Sequence, residues 1–146
     1  MSFDQLKLDN QLCFPLYAAS RLIIRKYQPF LDKLGITYPQ YLVLMVLWET
    51  DALPVNDIAK KLILNTNTIT PLLKRMEKLD IVSRQRSSED ERKVVVKLTL
   101  KGHEMEQDAS IIPIELGANL TCGNMELKDL HDLKERLQNF IDSIEI

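Results

Sequence analysis

Residues 54–102 read PVNDIAKKLILNTNTITPLLKRMEKLDIVSRQRSSEDERKVVVKLTLKG, and the order of patterns within them decides the fold. Over 55–64, Val55, Ile58, Ala59, Leu62 and Ile63 recur at helical spacing, with Asn56 placed to cap. A polar run, Asn65-Thr66-Asn67-Thr68, precedes a second stripe of Ile69, Leu72, Leu73, Met76 and Leu79. Two short helices joined by a few residues form a helix-turn-helix. Pro71 limits the second: either that helix begins near Asn67, placing Pro71 in its first turn, or it bends there. Residues 81–86 then read as a short strand and 87–92 as a polar turn. Val94, Val96 and Leu98 alternate with Val95, Lys97 and Thr99 as a half-buried strand requires. Helix, helix, strand, charged tip and strand make a winged helix-turn-helix.

Charge points to a partner. This stretch carries eleven Lys and Arg against six Asp and Glu, a balance of +5, inside a chain whose net charge is −2. Positive charge gathered in one module marks a surface for a polyanion, and the helix pair makes that polyanion double-stranded DNA. The candidate contacts are Asn65, Thr66, Asn67, Thr68, Thr70, Pro71, Lys74 and Arg75 on or before the second helix. There, short hydroxyl and amide groups reach base edges and phosphates. On the wing, Arg84, Arg86 and Arg92, with Lys93 beside them, would meet flanking phosphates or a minor groove. The competing reading is a solvated hairpin whose charges touch only water.

The flanks are helical. Leu16, Leu22, Ile23, Ile24, Tyr27, Phe30, Leu31 and Leu34 repeat at helical intervals until Gly35. Thr37 caps the next helix with Pro39 in its first turn, and its run 42–48 is apolar nearly all round, hence central. Residues 102–116 read as one long helix perturbed at Pro113. From Glu126 onward Leu127, Leu130, Leu133, Leu137, Phe140, Ile141 and Ile144 form one stripe. Such stripes fit either an intramolecular bundle or a twofold dimer. A dimer also sets two recognition helices about 34–36 Å apart for a pseudo-palindromic site. At 146 residues and 45% hydrophobic, the chain is read as one domain, mainly α with a small β wing. Helices for dimerisation lie at 1–36 and 103–146, a central helix at 37–53 and the winged module at 54–102. Neither a span of transmembrane length nor a signal peptide is visible, so the cytoplasm is the default and no membrane partner is expected. Two cysteines are too few for a secreted disulfide framework. His103 and His131 stand alone, so no metal is expected; no glycine motif for a nucleotide is present either, and no cofactor is expected.

The helical flanks around the module, with Asp90-Glu91-Arg92 at the wing, resemble the MarR family of dimeric winged-helix regulators. Asn10-Gln11-Leu12-Cys13-Phe14-Pro15-Leu16-Tyr17, Lys26-Tyr27, Pro29-Phe30-Leu31, 36–41 (ITYPQY) and 68–77 (TITPLLKRME) are similar to its OhrR branch, which represses hydroperoxide-resistance genes until a cysteine is oxidised. The likeness covers almost the whole chain. It implies a homodimeric repressor rather than an enzyme, released from its operator by an organic hydroperoxide. It implies that Asp90 and Arg92 hold the wing's shape. Cys13 matches the peroxidatic cysteine, Tyr27 and Tyr38 the tyrosines that hydrogen-bond it across the dimer, and Tyr17 a further aromatic near the pocket. Cys122 resembles the second cysteine of the two-cysteine subtype, which condenses with the sensor's sulfenic acid.

The chemistry is sound apart from the family. A thiolate is the nucleophile toward a peroxide O–O bond. Pro15 sets the first helix to begin near Cys13 or Phe14, where free N–H groups and the helix dipole favour an anion. Tyrosine hydroxyls are donors to such a sulfur, and Phe14, Leu16 and Trp48 would suit a lipid-like or aryl peroxide. Alternatives stay open. Cys13 can be a small buried hydrophobe and Cys122 a bystander beside a small-thiol cap. The chain can be a repressor released by a phenolic ligand or, in another class, a thiol peroxidase.

Overall fold

The computed structural model describes residues 3–121 and 125–144. The chain divides into two compact units, Met1–Ala109 and Ser110–Ile146.

In the first unit two short 3-10 turns, Asp4–Leu6 and Leu8–Asn10, lead into α1 (Cys13–Leu34). Gly35 ends α1 in the left-handed region at φ 67°, which lets the Ile36 N–H reach back to the Leu31 carbonyl at 3.1 Å. Helix α2 (Tyr38–Glu49) starts as its sequence dictates, with Thr37 at the cap and Pro39 in the first turn. The Thr37 N–H donates to Gln40 Oε1 at 2.9 Å, so the buried carboxamide is satisfied by the cap it closes. Tyr41, Val43, Leu44, Val46 and Leu47 are all buried, which makes α2 the centre of this unit.

Then come β1 (Leu53–Pro54), α3 (Val55–Lys61), α4 (Thr66–Lys78), β2 (Val82–Arg86), β3 (Val94–Leu98) and α5 (Leu100–Ala109). The strands form an antiparallel sheet in the order β1-β3-β2, with Val82 opposite Leu98 and Arg86 opposite Val94. Ile58, Ala59, Ile69, Leu72, Leu73 and Met76 of the helix pair are buried with Ile81, Val82, Val96 and Leu98 of the sheet. This is the expected winged helix-turn-helix.

Several local expectations need correcting. Asn56 does not cap α3; the helix already begins at Val55 behind Pro54, whose fixed φ suits a helix entry. Ile63 belongs to neither stripe: α3 ends at Lys61, and Ile63 sits in the left-handed region at φ 54° with its side chain exposed. Leu79, just past α4, is exposed as well. Pro71 is not in the first turn, because α4 starts at Thr66 and runs on through it to Lys78. A third strand, β1, pairs Leu53 with Val96 and was hidden by its two-residue length and its proline.

One contact joins α2 to α5. The Trp48 indole N–H donates to the Gly102 carbonyl at 2.9 Å. Gly102 is buried so tightly that an added Cβ would stand 2.3 Å from the Ile81 carbonyl oxygen and 3.1 Å from Leu98 Cδ2. Only glycine fits there, where α5 crosses the start of β2.

In the second unit α6 (Ile112–Leu120) is followed by α7 (Leu127–Ile144). The single helix expected over 102–116 is therefore two, interrupted at Ser110 and Ile111, because Pro113 cannot donate a helical hydrogen bond and takes a first-turn position instead. No residue of α7 is buried, although it carries the expected stripe; Leu127, Leu133, Phe140 and Ile144 are all exposed.

Gly102→Ala is expected to destabilise the protein by about 1–3 kcal/mol, the usual cost of overpacking. Thermal unfolding should show a midpoint several degrees lower; an unchanged midpoint would mean the α5 crossing is looser than its geometry.

Candidate nucleic-acid interface and thiol site

The Asn65 side chain caps α4, its Oδ1 accepting from the Thr68 N–H at 2.9 Å and from Thr68 Oγ1 at 3.0 Å. Thr66, Asn67 and Thr68 open the helix with exposed side chains, Thr70 is partly covered, and Pro71, Lys74 and Arg75 are exposed. Hydroxyls, amides and cations thus line one solvent-facing side of α4 while Ile69, Leu72, Leu73 and Met76 hold the other in the core. Unpaired N–H groups of the first turn add an anion-binding end.

The wing keeps its shape through its own contacts. The Ser87 N–H donates to the Lys93 carbonyl at 2.8 Å and the Lys93 N–H to that of Asp90 at 2.9 Å. Asp90 Oδ1 accepts from both the backbone N–H and Nε of Arg92, each at 3.1 Å. Those bonds, with Lys93 nearby, hold the Asp90 carboxyl below its ordinary value. The rest of the Arg92 side chain is 90% exposed and ready for a phosphate. Arg86 is exposed too.

Arg84 differs from the other candidates. Its Nε and Nη2 donate to Glu77 Oε2 at 3.0 and 2.7 Å, and its backbone N–H donates to Oε1 at 3.3 Å. Only 22% of its side chain is exposed. Beside it a cleft of about 350 Å³ lies between α3, α4 and the wing, lined among others by Thr66, Thr70, Arg84 and Arg92.

Cys13 is the first residue of α1 and its thiol is exposed. Tyr17 lies one turn on, with the Arg21 guanidinium 5.3 Å from its ring centre. Tyr27 and Tyr38 do come together, at 4.9 Å between ring centres. Tyr41 completes the group, 5.8 Å from Tyr27 and 6.4 Å from Tyr38. Tyr41 was not among the candidates, because it reads as an ordinary core position of α2. Trp48 stacks edgewise behind Tyr41 at 6.2 Å and spends its N–H on Gly102, so it lies behind the tyrosines rather than open to a peroxide. Burial, then the neighbouring Tyr38 and Tyr41, push the Tyr27 phenol up to about 12, and burial raises Tyr38 as well. Both therefore remain neutral hydrogen-bond donors at any ordinary pH.

Cys13 and the tyrosines are not brought together within one chain. Fourteen helical residues separate Cys13 from Tyr27, and at 1.5 Å per residue that is about 21 Å. Cys122 lies outside the described residues.

A basic, exposed helix face beside a self-braced wing defines a winged helix-turn-helix DNA-binding regulator. The comparisons agree. Residues 25–109 match the family described as Transcriptional regulator SarA/Rot. The chain is 45% identical over 142 residues to the organic hydroperoxide resistance transcriptional regulator of Bacillus subtilis (strain 168), spanning 97% of this chain and 95% of that one. It also resembles AbfR of Staphylococcus epidermidis. Reduced AbfR bound to DNA matches with a TM-score of 0.80 at 34% identity, over 99% of this chain and 97% of that one. Overoxidised AbfR bound to DNA matches at 0.71 and 38%, over 94% and 98%, and disulfide-formed AbfR at 0.62 and 38%, over 94% and 95%. The chain belongs to the MarR/SarA family of DNA-binding transcriptional regulators. Among the described residues no helix is long and apolar enough to cross a membrane.

The raised phenol has a testable sign. A group lifted from 10.0 to about 12 on folding contributes stability in full below 10 and loses it as pH climbs toward 12. Phenolate absorbance of the folded protein should show a late step that Tyr27→Phe removes. Ionisation of every tyrosine near 10 in the folded wild type would contradict the packing described for Tyr27.

Proposed function

We propose that this protein is a homodimeric repressor that leaves its operator when an organic hydroperoxide oxidises Cys13. The observation that carries the reading is that Tyr27, packed with Tyr38 and Tyr41 of α2, stands about 21 Å from Cys13 along α1. Such a cluster serves Cys13 only when a second copy supplies it. The exposed apolar stripe of α7, with Leu12 and Phe14 beside Cys13, supports pairing of two copies.

In the first step the Cys13 thiolate attacks the distal oxygen of the hydroperoxide. The S–O bond forms, the O–O bond breaks, and the alkoxide leaves with a proton as the alcohol. The Cys13 sulfur is oxidised by two electrons and the peroxide reduced by two. Tyr27 and Tyr38 of the other copy donate hydrogen bonds at the reacting sulfur, and Tyr17 borders the site. In the second step the Cys122 thiolate of the other copy attacks the sulfenic sulfur, expelling hydroxide, which takes up the thiol's proton as water and leaves a disulfide. Structures of AbfR lend support, since that protein occurs reduced on DNA, overoxidised on DNA and with a disulfide. A cross-link, which needs Cα atoms within about 7 Å, reshapes a dimer far more than added oxygen does.

DNA contact falls to Thr66, Asn67, Thr68, Thr70, Lys74 and Arg75 in the major groove of a pseudo-palindromic site, with Pro71 between them and Asn65 as cap. Arg86 and Arg92 reach flanking phosphates. Specific binding exceeds non-specific by about 4–10 kcal/mol, and misplacing both helices removes most of that margin. A second reading has one observation in its favour: the cleft of about 350 Å³ is large enough for a small phenolic ligand.

Treatment with cumene hydroperoxide should release the wild type from DNA and leave Cys13→Ser bound. Release of Cys13→Ser to the same extent would exclude Cys13 as the sensor. Release of the wild type by a phenol but not by peroxide would favour the second reading. On a non-reducing gel the oxidised wild type should run as a covalent dimer and Cys122→Ser should not. A cross-link persisting in Cys122→Ser would remove Cys122 from the scheme.

A further inference from the structure

Glu77 stands on the DNA-binding helix, three residues past Lys74 and two past Arg75, and a carboxylate there opposes a polyanion. Its environment resolves the conflict. Both carboxylate oxygens are taken by Arg84: Oε2 by Nε and Nη2 at 3.0 and 2.7 Å, Oε1 by the backbone N–H at 3.3 Å. The backbone N–H of Arg84 is thereby drawn into the same contact as its side chain, so the pair ties the β2 main chain to α4 as well as one side chain to another. Arg92 shows the contrast on the same wing, at 90% exposure against 22% for Arg84.

We infer that Arg84 is a positioning residue, a strut that fixes the wing against the recognition helix through Glu77, and that it makes no phosphate contact. Wing and helix then meet DNA as one rigid piece: Thr66 to Arg75 read the groove at the distance from Arg86 and Arg92 that the strut sets. A neutral ion pair adds nothing to counterion release, whereas a phosphate-bound arginine does. The role rests on DNA binding alone and is independent of the oxidation chemistry, so its test is run on reduced protein.

The probe is a duplex enriched from random-sequence DNA by the reduced wild type, with a mixed-sequence duplex as the non-specific reference. Arg84→Ala and Glu77→Ala are each expected to weaken the enriched duplex about fivefold. The double variant should be no worse than either single one, as for two ends of one contact. The slope of log affinity against log salt should stay that of the wild type, and non-specific binding should not fall. Arg84→Lys, which keeps the charge but loses the two-nitrogen grip, should behave like Arg84→Ala. Arg92→Ala supplies the contrast, its slope flattening by about 0.9. Three results would overturn the strut: tighter binding by Glu77→Ala, as relief of simple repulsion demands; a slope flattened by about 0.9 in Arg84→Ala; or full activity in Arg84→Lys. Circular dichroism checks folding, and if the alanine variants unfold, Arg84→Lys and Glu77→Gln carry the same comparison.

Discussion

The rise of an α-helix governs the rest of this molecule. Cys13 opens α1 and Tyr27 sits fourteen residues further on, so their separation is about 21 Å and no side-chain rotamer closes it. Tyr27 is held by Tyr38 and Tyr41 on α2, whose start is fixed by Thr37, Pro39 and Gln40, and whose other end is pinned by Trp48 to Gly102. Under the proposed function, a thiol at one end of a helix and the tyrosines at the other are halves of two sites shared between copies. The same requirement gives purpose to Leu12, Phe14 and the α7 stripe, apolar surfaces that a lone chain leaves in water.

The DNA module obeys a different rule, that of rigidity. Asn65 caps α4, Asp90 and Arg92 brace the wing tip, and Glu77 with Arg84 joins the two. Each contact uses polar groups that would otherwise be free to reorganise, and each removes a way for the surface to adapt to misplaced half-sites. In the proposed dimer, a stiff reading head makes DNA binding sensitive to small shifts between copies, because spacing on a duplex is set by the helical repeat of DNA. Under the proposed function, covalent chemistry at Cys13 needs only to move rigid pieces. Acid acts on the same braces: the Glu77 and Asp90 carboxyls are held below their ordinary values chiefly by their bonds to Arg84 and Arg92. Their contribution is full above the ordinary values of 4.5 and 3.8 and fades as pH falls through the lowered ones.

Where a residue's local chemistry has one outcome, the chain was legible before its structure. Gly35 ended α1, Thr37 and Pro39 opened α2, the alternation of Val94, Val96 and Leu98 gave a strand, and Asp90 met Arg92 as the family resemblance implied. Legibility failed where tertiary packing chose between local options. Asn56 had the chemistry of a cap but lost the position to the preceding proline. Ile63 matched a helical period yet took a turn that bulky residues rarely occupy. The 102–116 run hid a break before Pro113, because its apolar spacing continues across it. Arg84 looked like Arg86 and Arg92 in sequence, since charge alone does not reveal that Glu77 lies seven residues back across a turn. Tyr41 was missed for the opposite reason: its apolar setting disguised a phenol packed on two others.

Mixed dimers test the shared site most directly. Cys13→Ser chains are combined with chains carrying Tyr27→Phe and Tyr38→Phe, and sulfenic acid formation at Cys13 is timed after an organic hydroperoxide is added. Sharing across two copies gives the mixed dimer one complete site, so half of its chains should be set for oxidation at the wild-type rate. Oxidation only at the slow rate of the Tyr27→Phe, Tyr38→Phe homodimer would mean that each chain serves its own cysteine, and the account would be wrong.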